Sequence, residues 1–219
     1  MHVPAPSTMS EPPVVIIVED DTRVRKSLRS LLRSAGLQSI EYGSASDLLD
    51  QRLPAAERCL ICDIRLPNLN GFDLKAALEQ RGECVPVVFI TAHGDIPMSV
   101  RAMKGGAIDF LEKPFRNQEL LDAVTEALAA DRRRRESVTR LRDLHARLEA
   151  LSPREREVLK GVGAGRLNKQ IAGDLGLSEI TVKLYRANLM RKMKAGSFAE
   201  LIRIIQTIET SVGPDHTRV

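Results

Sequence analysis

The chain has 219 residues, 43% of them apolar, enough to bury one large core or two small ones. Aromatic residues make up only 3% and Trp is absent, so any core must be aliphatic. The net charge of +4 conceals an asymmetry: residues 14–131 carry 14 Lys+Arg against 18 Asp+Glu, a net of −4, while residues 132–219 carry 19 against 10, a net of +9. Only the second part has the charge to meet a polyanion, and a merely solvated basic face stands beside that reading.

The opening MHVPAPSTMSEPP is Pro-rich and polar, without the apolar stretch of a secretion signal, so residues 1–13 are expected to form a disordered tail. VVIIV (14–18) reads as a buried strand and is far too short to span a bilayer, so a soluble, cytoplasmic protein without a membrane partner is expected. The odd count of cysteines (Cys59, Cys62, Cys84) fits a reducing compartment. VRKSLRSLLRSAG reads as a helix stopped at Gly36, followed by a weaker strand, SIEYG. Ser44 with Asp47 makes a capping-box-like start ahead of DLLDQRL. CLICDI is the third strand and PVVFIT the fourth, with a helix over 72–80 between them; AIDFLE is the fifth, and a last helix begins after Asn117.

Strands alternating with helices at this spacing predict a parallel sheet covered on both faces, with its site at the carboxyl ends of the strands. Cys59 and Cys62 form a C-x-x-C, but residues three apart on a strand point to opposite faces. Core packing, not a shared metal, is the expectation for that pair.

From Asn117 to Leu151 there is neither Gly nor Pro, so the last helix of the sheet domain is expected to continue through a linker over 132–150. Leu141, Leu144, Leu148 and Leu151 fall at 3-4-3 spacing, a short heptad seam. Two uses of that seam stay open: pairing with its twin in a dimer, or resting on a domain of its own chain. Ser152, Pro153 and Glu155 restart the helical register as cap, first position and capping-box acid. Helices over 168–175, 179–193 and 198–208 follow, the last behind a second Ser-x-x-Glu at Ser197 and Glu200, and VGPDHTRV reads as a disordered tail.

Four features converge on the carboxyl end of the predicted sheet. Glu19, Asp20 and Asp21 follow the first strand, Asp63 ends the third, Thr91 ends the fourth, and Lys113 follows the fifth just before Pro114. Clustered carboxylates with one hydroxyl and one ammonium suit a hard divalent cation and a phosphoryl group. An acid in this row can also simply cap the next helix, which is the expected role of Asp21. His93, in the loop AHGD, is expected to face solvent.

The runs IIVEDD, DIRLPNLNGFDL, PVVFITAHGD and AIDFLEKPF resemble the receiver domains of two-component response regulators, and RAMKGGAIDFLEKPF resembles the NarL/FixJ subfamily. The resemblance implies a flavodoxin-like, CheY-like five-stranded α/β receiver over 14–131. It implies Asp63 as phosphoacceptor, Asp20 as a direct ligand of Mg²⁺ (or Mn²⁺) beside Asp63, Glu19 acting through water, and the Arg65 backbone carbonyl as a further ligand. Thr91 and Phe110 would be the switch pair and Lys113 the phosphoryl contact, held by a cis peptide to Pro114.

The run from LSPREREVLK to NLMRKM resembles the LuxR-type helix-turn-helix, implying an all-α four-helix DNA-binding domain over 151–210, with 211–219 as a tail. Gly176-Leu177-Ser178 is its turn and 179–193 its recognition helix. On that helix Val182, Leu189 and Met193 recur on the core face, with Lys183 and Ala187 opposite and Leu184 and Met190 near them. The resemblance makes Lys183, Leu184 and Ala187 base-edge contacts, and Thr181, Tyr185, Arg186, Lys169 and Arg191 phosphate contacts. Tyr185 stands where this family usually has histidine. For Arg191 and Lys192 a solvated helix face is an equal reading.

The expected function is a transcriptional regulator phosphorylated on Asp63 by a sensor histidine kinase, dimerising to bind double-stranded promoter DNA and acting on RNA polymerase. It would be no enzyme beyond its own phosphorylation and dephosphorylation. Two rivals are a phosphorylation-independent regulator whose receiver only dimerises, and an aspartyl-phosphate hydrolase. The second lacks the usual Asp-x-Asp after the first strand.

Overall fold

The computed structural model describes residues 11–211, with side chains to Ile208. Residues 1–10 and 212–219, where the two tails are expected, lie outside the described residues. Five short runs form β1 (Val14–Val18), β2 (Gln38–Tyr42), β3 (Arg58–Asp63), β4 (Val87–Thr91) and β5 (Asp109–Glu112). Every residue of β1, β3 and β4 is buried, as continuous apolar runs require of strands covered on both faces. The strands are parallel, in the order β2-β1-β3-β4-β5. The order reverses between β1 and β3, so their carboxyl ends flank the switch point where open α/β sheets hold ligands.

The interleaved helices are α1 (Thr22–Ser34), α2 (Ala45–Leu49), α3 (Gly71–Gln80), α4 (Ile96–Lys104) and α5 (Asn117–Glu149). Leu48, Leu74, Leu78 and Ala102 bring α2, α3 and α4 onto one face of the sheet, against Ile16, Leu60 and Phe89. Leu28, Leu32, Leu120, Val124 and Leu128 bring α1 and α5 onto the other, against Ile17, Ile61 and Ile90. Cys62 belongs to the first layer and Cys59 to the second, so the C-x-x-C is split across the sheet. Burial pushes the Cys59 thiol up to about 12 and raises Cys62 as well, leaving both as unreactive packing groups.

Two elements are shorter than their sequence pattern. The helix after Ser44 ends at Leu49 instead of running through DLLDQRL, because Asp50 caps it and Pro54 stands ahead. β5 starts at Asp109, not Ala107, because the Ala107 amide still donates to the Ala102 carbonyl at the end of α4. The Lys113–Pro114 peptide is cis.

The chain divides into two compact units, Met1–Arg134 and Arg135–Val219, and the division falls inside α5, which continues without a break as the lack of Gly and Pro predicts. Within the first unit, Asp131 pins α5 to the sheet. Its fully buried carboxylate accepts from the Arg58 amide at 3.0 Å and from Arg134 at 2.7 Å. Beside it, Arg132 grips Glu57 with two bonds of 2.8 and 2.9 Å.

The second unit holds α6 (Pro153–Gly163), α7 (Asn168–Leu175), α8 (Glu179–Met193) and α9 (Phe198–Ser211). The Ser152 box forms in full: the Glu155 amide donates to Ser152 Oγ at 3.2 Å and the Ser152 amide to Glu155 Oε2 at 2.8 Å. At α9 the Glu200 amide donates to Ser197 Oγ, but its carboxylate reaches one residue further, to the Gly196 amide. Val158, Val162, Ile171, Val182, Leu189, Met193 and Leu201 form the core. Leu144 and Leu151 are buried in it and Leu148 packs against it, so three of the four seam leucines rest on their own unit. Among the described residues no helix is long and apolar enough to cross a membrane.

Candidate functional site

The carboxyl ends of β1, β3, β4 and β5 bring the predicted acidic set together. Lys113 Nζ lies 2.6 Å from Glu19 Oε2 and 2.7 Å from Asp63 Oδ2, bridging residues from three strand ends. Glu19 and Asp63 are nearly inaccessible, at 1% and 7% exposure, whereas Asp20 faces solvent. Burial pushes the Glu19 carboxyl above the usual carboxylate range, outweighing the opposing bond to Lys113. Burial works to lower Lys113, but its bonds to Asp63 and Glu19 prevail and hold the ammonium above its ordinary value. Lys113 therefore keeps its proton.

The supports of this cluster come from the backbone around it. The Arg65 amide donates to Asp63 Oδ1 at 3.0 Å, orienting the carboxylate. The Lys113 amide donates to the Thr91 carbonyl at 2.7 Å. Thr91 is fully buried, its Oγ1 accepting from the His93 amide at 3.3 Å, while the His93 side chain is exposed. Phe110 is half-buried against the α2–α3–α4 layer. Asp21 caps α1, accepting from the Arg23 and Val24 amides, and these bonds lower its pKa.

Glu19, Asp20 and Asp63 each present a carboxylate oxygen within 4.8 Å of the others. An all-oxygen donor set of three carboxylates fits a hard divalent cation, whose charge would offset their repulsion.

Two residues of this site went unread in the sequence. The Arg25 guanidinium donates to the Glu19 carbonyl at 2.5 Å and the Asp20 carbonyl at 3.2 Å, clamping the loop that carries both acids. Gly71 opens α3 directly behind Asp63: a Cβ there would stand 2.7 Å from the Asp63 carbonyl oxygen and 3.0 Å from Cys62 Sγ. The family-like run NGFDL contained the signal, but only the fold shows what the glycine touches.

In the second unit, α7, a turn and α8 make the predicted helix-turn-helix. Gly176 ends α7 at φ 64°, a left-handed conformation suited to glycine, and Ser178 caps α8 by accepting from the Thr181 amide. Lys183, Leu184 and Ala187 are exposed, as are Lys169 on α7 and Arg191. Thr181 Oγ1 lies 2.8 Å from Ser178 Oγ.

Other polar residues of α8 are engaged by the fold. Tyr185 packs against the core, and Met190, expected near the exposed side, does so too. Arg186 donates to Asn168 Oδ1 at 2.8 Å and stacks over Phe198 with its guanidinium carbon 4.8 Å from the ring centroid. Lys192 binds the buried Glu155 at 2.7 Å and the Ala150 carbonyl at 3.2 Å, so it ties α8 to the start of α6.

Residues 15–125 match the response regulator receiver domain, and residues 149–205 match the bacterial regulatory proteins of the luxR family. Nodulation protein W of Bradyrhizobium diazoefficiens is 50% identical over 204 residues, covering 93% of this chain and 89% of that protein. Response regulator protein TodT of Pseudomonas putida is 45% identical over 199 residues, covering 91% and 88%. The low-resolution structure of response regulator StyR is 44% identical, with a TM-score of 0.80, covering 90% of this chain and 99% of that one. With a receiver and a luxR-type helix-turn-helix in the same order and nearly the same length, the chain belongs to the two-component response regulators and is a DNA-binding transcriptional regulator.

Proposed function

We propose that a sensor histidine kinase transfers a phosphoryl group to Asp63, and that this controls how the second unit engages promoter DNA. The observation that carries the reading is the Lys113 ammonium bonded to both Glu19 and Asp63 beside the sheet's switch point. Asp20, Asp63 and the Arg65 carbonyl, with Glu19 acting through water, would hold Mg²⁺ or Mn²⁺, which would supply positive charge where an anionic carboxylate meets an anionic phosphoryl group. An Asp63 carboxylate oxygen forms the bond to phosphorus as the bond to the donor's leaving group breaks. The Arg65 amide holds the carboxylate in line for that attack. Lys113 then turns its charge to the phosphoryl oxygens, and the Thr91 hydroxyl hydrogen-bonds to one of them.

Drawing Thr91 toward the phosphoryl group opens space that the half-buried Phe110 ring can fill. The two residues thereby shift the population of the face made by α4, β5 and α5 toward a dimerising state. Two helix-turn-helix units then engage both halves of a near-palindromic site, with Lys183, Leu184 and Ala187 at base edges. Lys169, Thr181 and Arg191, with Tyr185 and Arg186 from their more enclosed positions, meet phosphates. The protein works in the cytoplasm on transcription by RNA polymerase, and its only chemistry is its own phosphorylation and dephosphorylation.

The test is to incubate the full chain and Asp63→Asn with acetyl phosphate and Mg²⁺, then follow phosphate uptake and binding to a selected duplex. Uptake confined to the wild type, with tighter DNA binding, is the expected result. Phospho-dependent DNA binding by Asp63→Asn would overturn the assignment, and binding indifferent to the donor would favour a phosphorylation-independent regulator.

A further inference from the structure

Four residues of α8, Ile180, Leu184, Ala187 and Arg191, recur at spacings of four, three and four, which places them on one helical face. That face lies opposite Val182, Leu189 and Met193, all three fully buried. Ile180 is 80% exposed and Leu184 62%. A single exposed aliphatic residue is ordinary. Two large ones stacked a turn apart, in a segment of net charge +9 with Lys183 and Arg191 beside them and the single acid Glu179 at the helix start, form an apolar stripe in a mainly cationic setting.

That pattern complements the major groove of DNA. Phosphates line its edges, and the apolar group that a base presents on its floor is the C5-methyl of thymine. Ile180 stands in the first turn of α8, and the N-terminal residues of a recognition helix are the ones that meet base edges. The fold makes no use of the Ile180 side chain, since the core is completed by the opposite face. A polar residue in its place would be easier to keep in water.

We propose that Ile180, together with Leu184, reads thymine methyl groups, so that Ile180 is a specificity-determining residue of the DNA-binding unit. The operator then carries thymines under the first two turns of α8. This rests on the DNA-binding role of the second unit and names the chemistry it selects.

The experiment starts by selecting duplexes from a random library with the full-length wild-type protein, incubated throughout with acetyl phosphate and Mg²⁺. Each thymine of the selected site is then replaced by deoxyuridine, which removes only the methyl group. One or two replacements per half-site are expected to weaken binding about fourfold each, the worth of one buried methyl. Ile180→Ala should bind the thymine duplex more weakly by a similar factor and no longer distinguish it from the deoxyuridine duplex. Lys183→Ala serves as control: it should weaken both duplexes together and keep their ratio. Helical content measured by circular dichroism shows whether the variants are folded, and Ile180→Ser provides a second variant if the first is not.

Thymine and deoxyuridine duplexes that bind alike at every position would overturn the proposal. So would an Ile180→Ala protein as methyl-sensitive as the wild type, including one whose sedimentation alone changes, which would mark the stripe as a protein interface. Failure of the wild type to retain any duplex would instead sink the DNA-binding role, and the proposal with it.

Discussion

The two units carry their function in opposite ways. In the first, the residues proposed to matter are charged groups where charge is out of place: Glu19 and Asp63 are buried at the carboxyl end of the sheet and paired with Lys113. In the second, those proposed are apolar and cationic groups left in water, as Ile180, Leu184 and Lys183 are on α8. A phosphorylation site needs its ions desolvated and held before the reaction, because preorganised charges act more strongly away from water. A DNA-reading surface must keep its side chains unspent, because the partner supplies the second half of every contact. On the proposed function, the residues that act stand out by unusual burial in one unit and unusual exposure in the other.

Breaking the buried set should have the largest effect. Lys113→Met leaves two buried carboxylates without their cation, and loss of one partner of a buried pair costs about 3–5 kcal/mol. Denaturant unfolding of the full chain reads this as a lower midpoint for the receiver transition, and an unchanged midpoint would show the cluster to be solvated. Next comes Gly71→Ala, whose added Cβ must displace the Asp63 backbone. Overpacking of this kind costs about 1–3 kcal/mol, and phosphate uptake by the folded fraction should slow as well.

A pair of α8 lysines sharpens the contrast within the second unit. Lys192→Ala removes a bond to the buried Glu155 and should lower stability by about 1 kcal/mol, with little change in the DNA affinity of the folded protein. Lys183→Ala should leave stability within about 0.5 kcal/mol and weaken DNA binding at least about fivefold. Thermal unfolding and a titration with duplex separate the two, and interchanged results would mean the helix is read from the wrong side.

The smallest effect concerns pH. The bond from Lys192, with the Ser152 amide, lowers the Glu155 pKa below its ordinary 4.5. A depressed carboxylate stabilises the fold fully above the unfolded value of 4.5 and loses that contribution as pH falls through the folded value. Thermal stability should therefore drop on acidification below pH 4.5, and Glu155→Gln should flatten that part of the profile.

Much of this could be read from residue order. The apolar runs before Glu19, Asp63 and Thr91, the Lys-Pro after β5, and the Ser caps at Ser44, Ser152 and Ser197 are local signals, and each lies where its pattern implied. The opposite-face argument for Cys59 and Cys62 needed only the period of a strand. Other points depended on neighbours far apart in the chain. The heptad seam allowed two partners, and the packing of Leu144, Leu148 and Leu151 on α6–α9 showed where three of its leucines go. Lys192 and Lys183 are alike in sequence, but only one has Glu155 within reach.

By itself, then, the sequence determined the alternation of strands and helices, the acids, hydroxyl and lysine at the strand ends, and the helix-turn-helix, because period and capping act over a few residues. Tertiary structure alone decided that Asp131 locks to Arg58 across 73 residues, that Gly71 must be glycine behind Asp63, and that Lys192 of α8 is held by the buried Glu155. The physical reason is that burial and pairing belong to a side chain's surroundings, and those exist only once distant segments have packed.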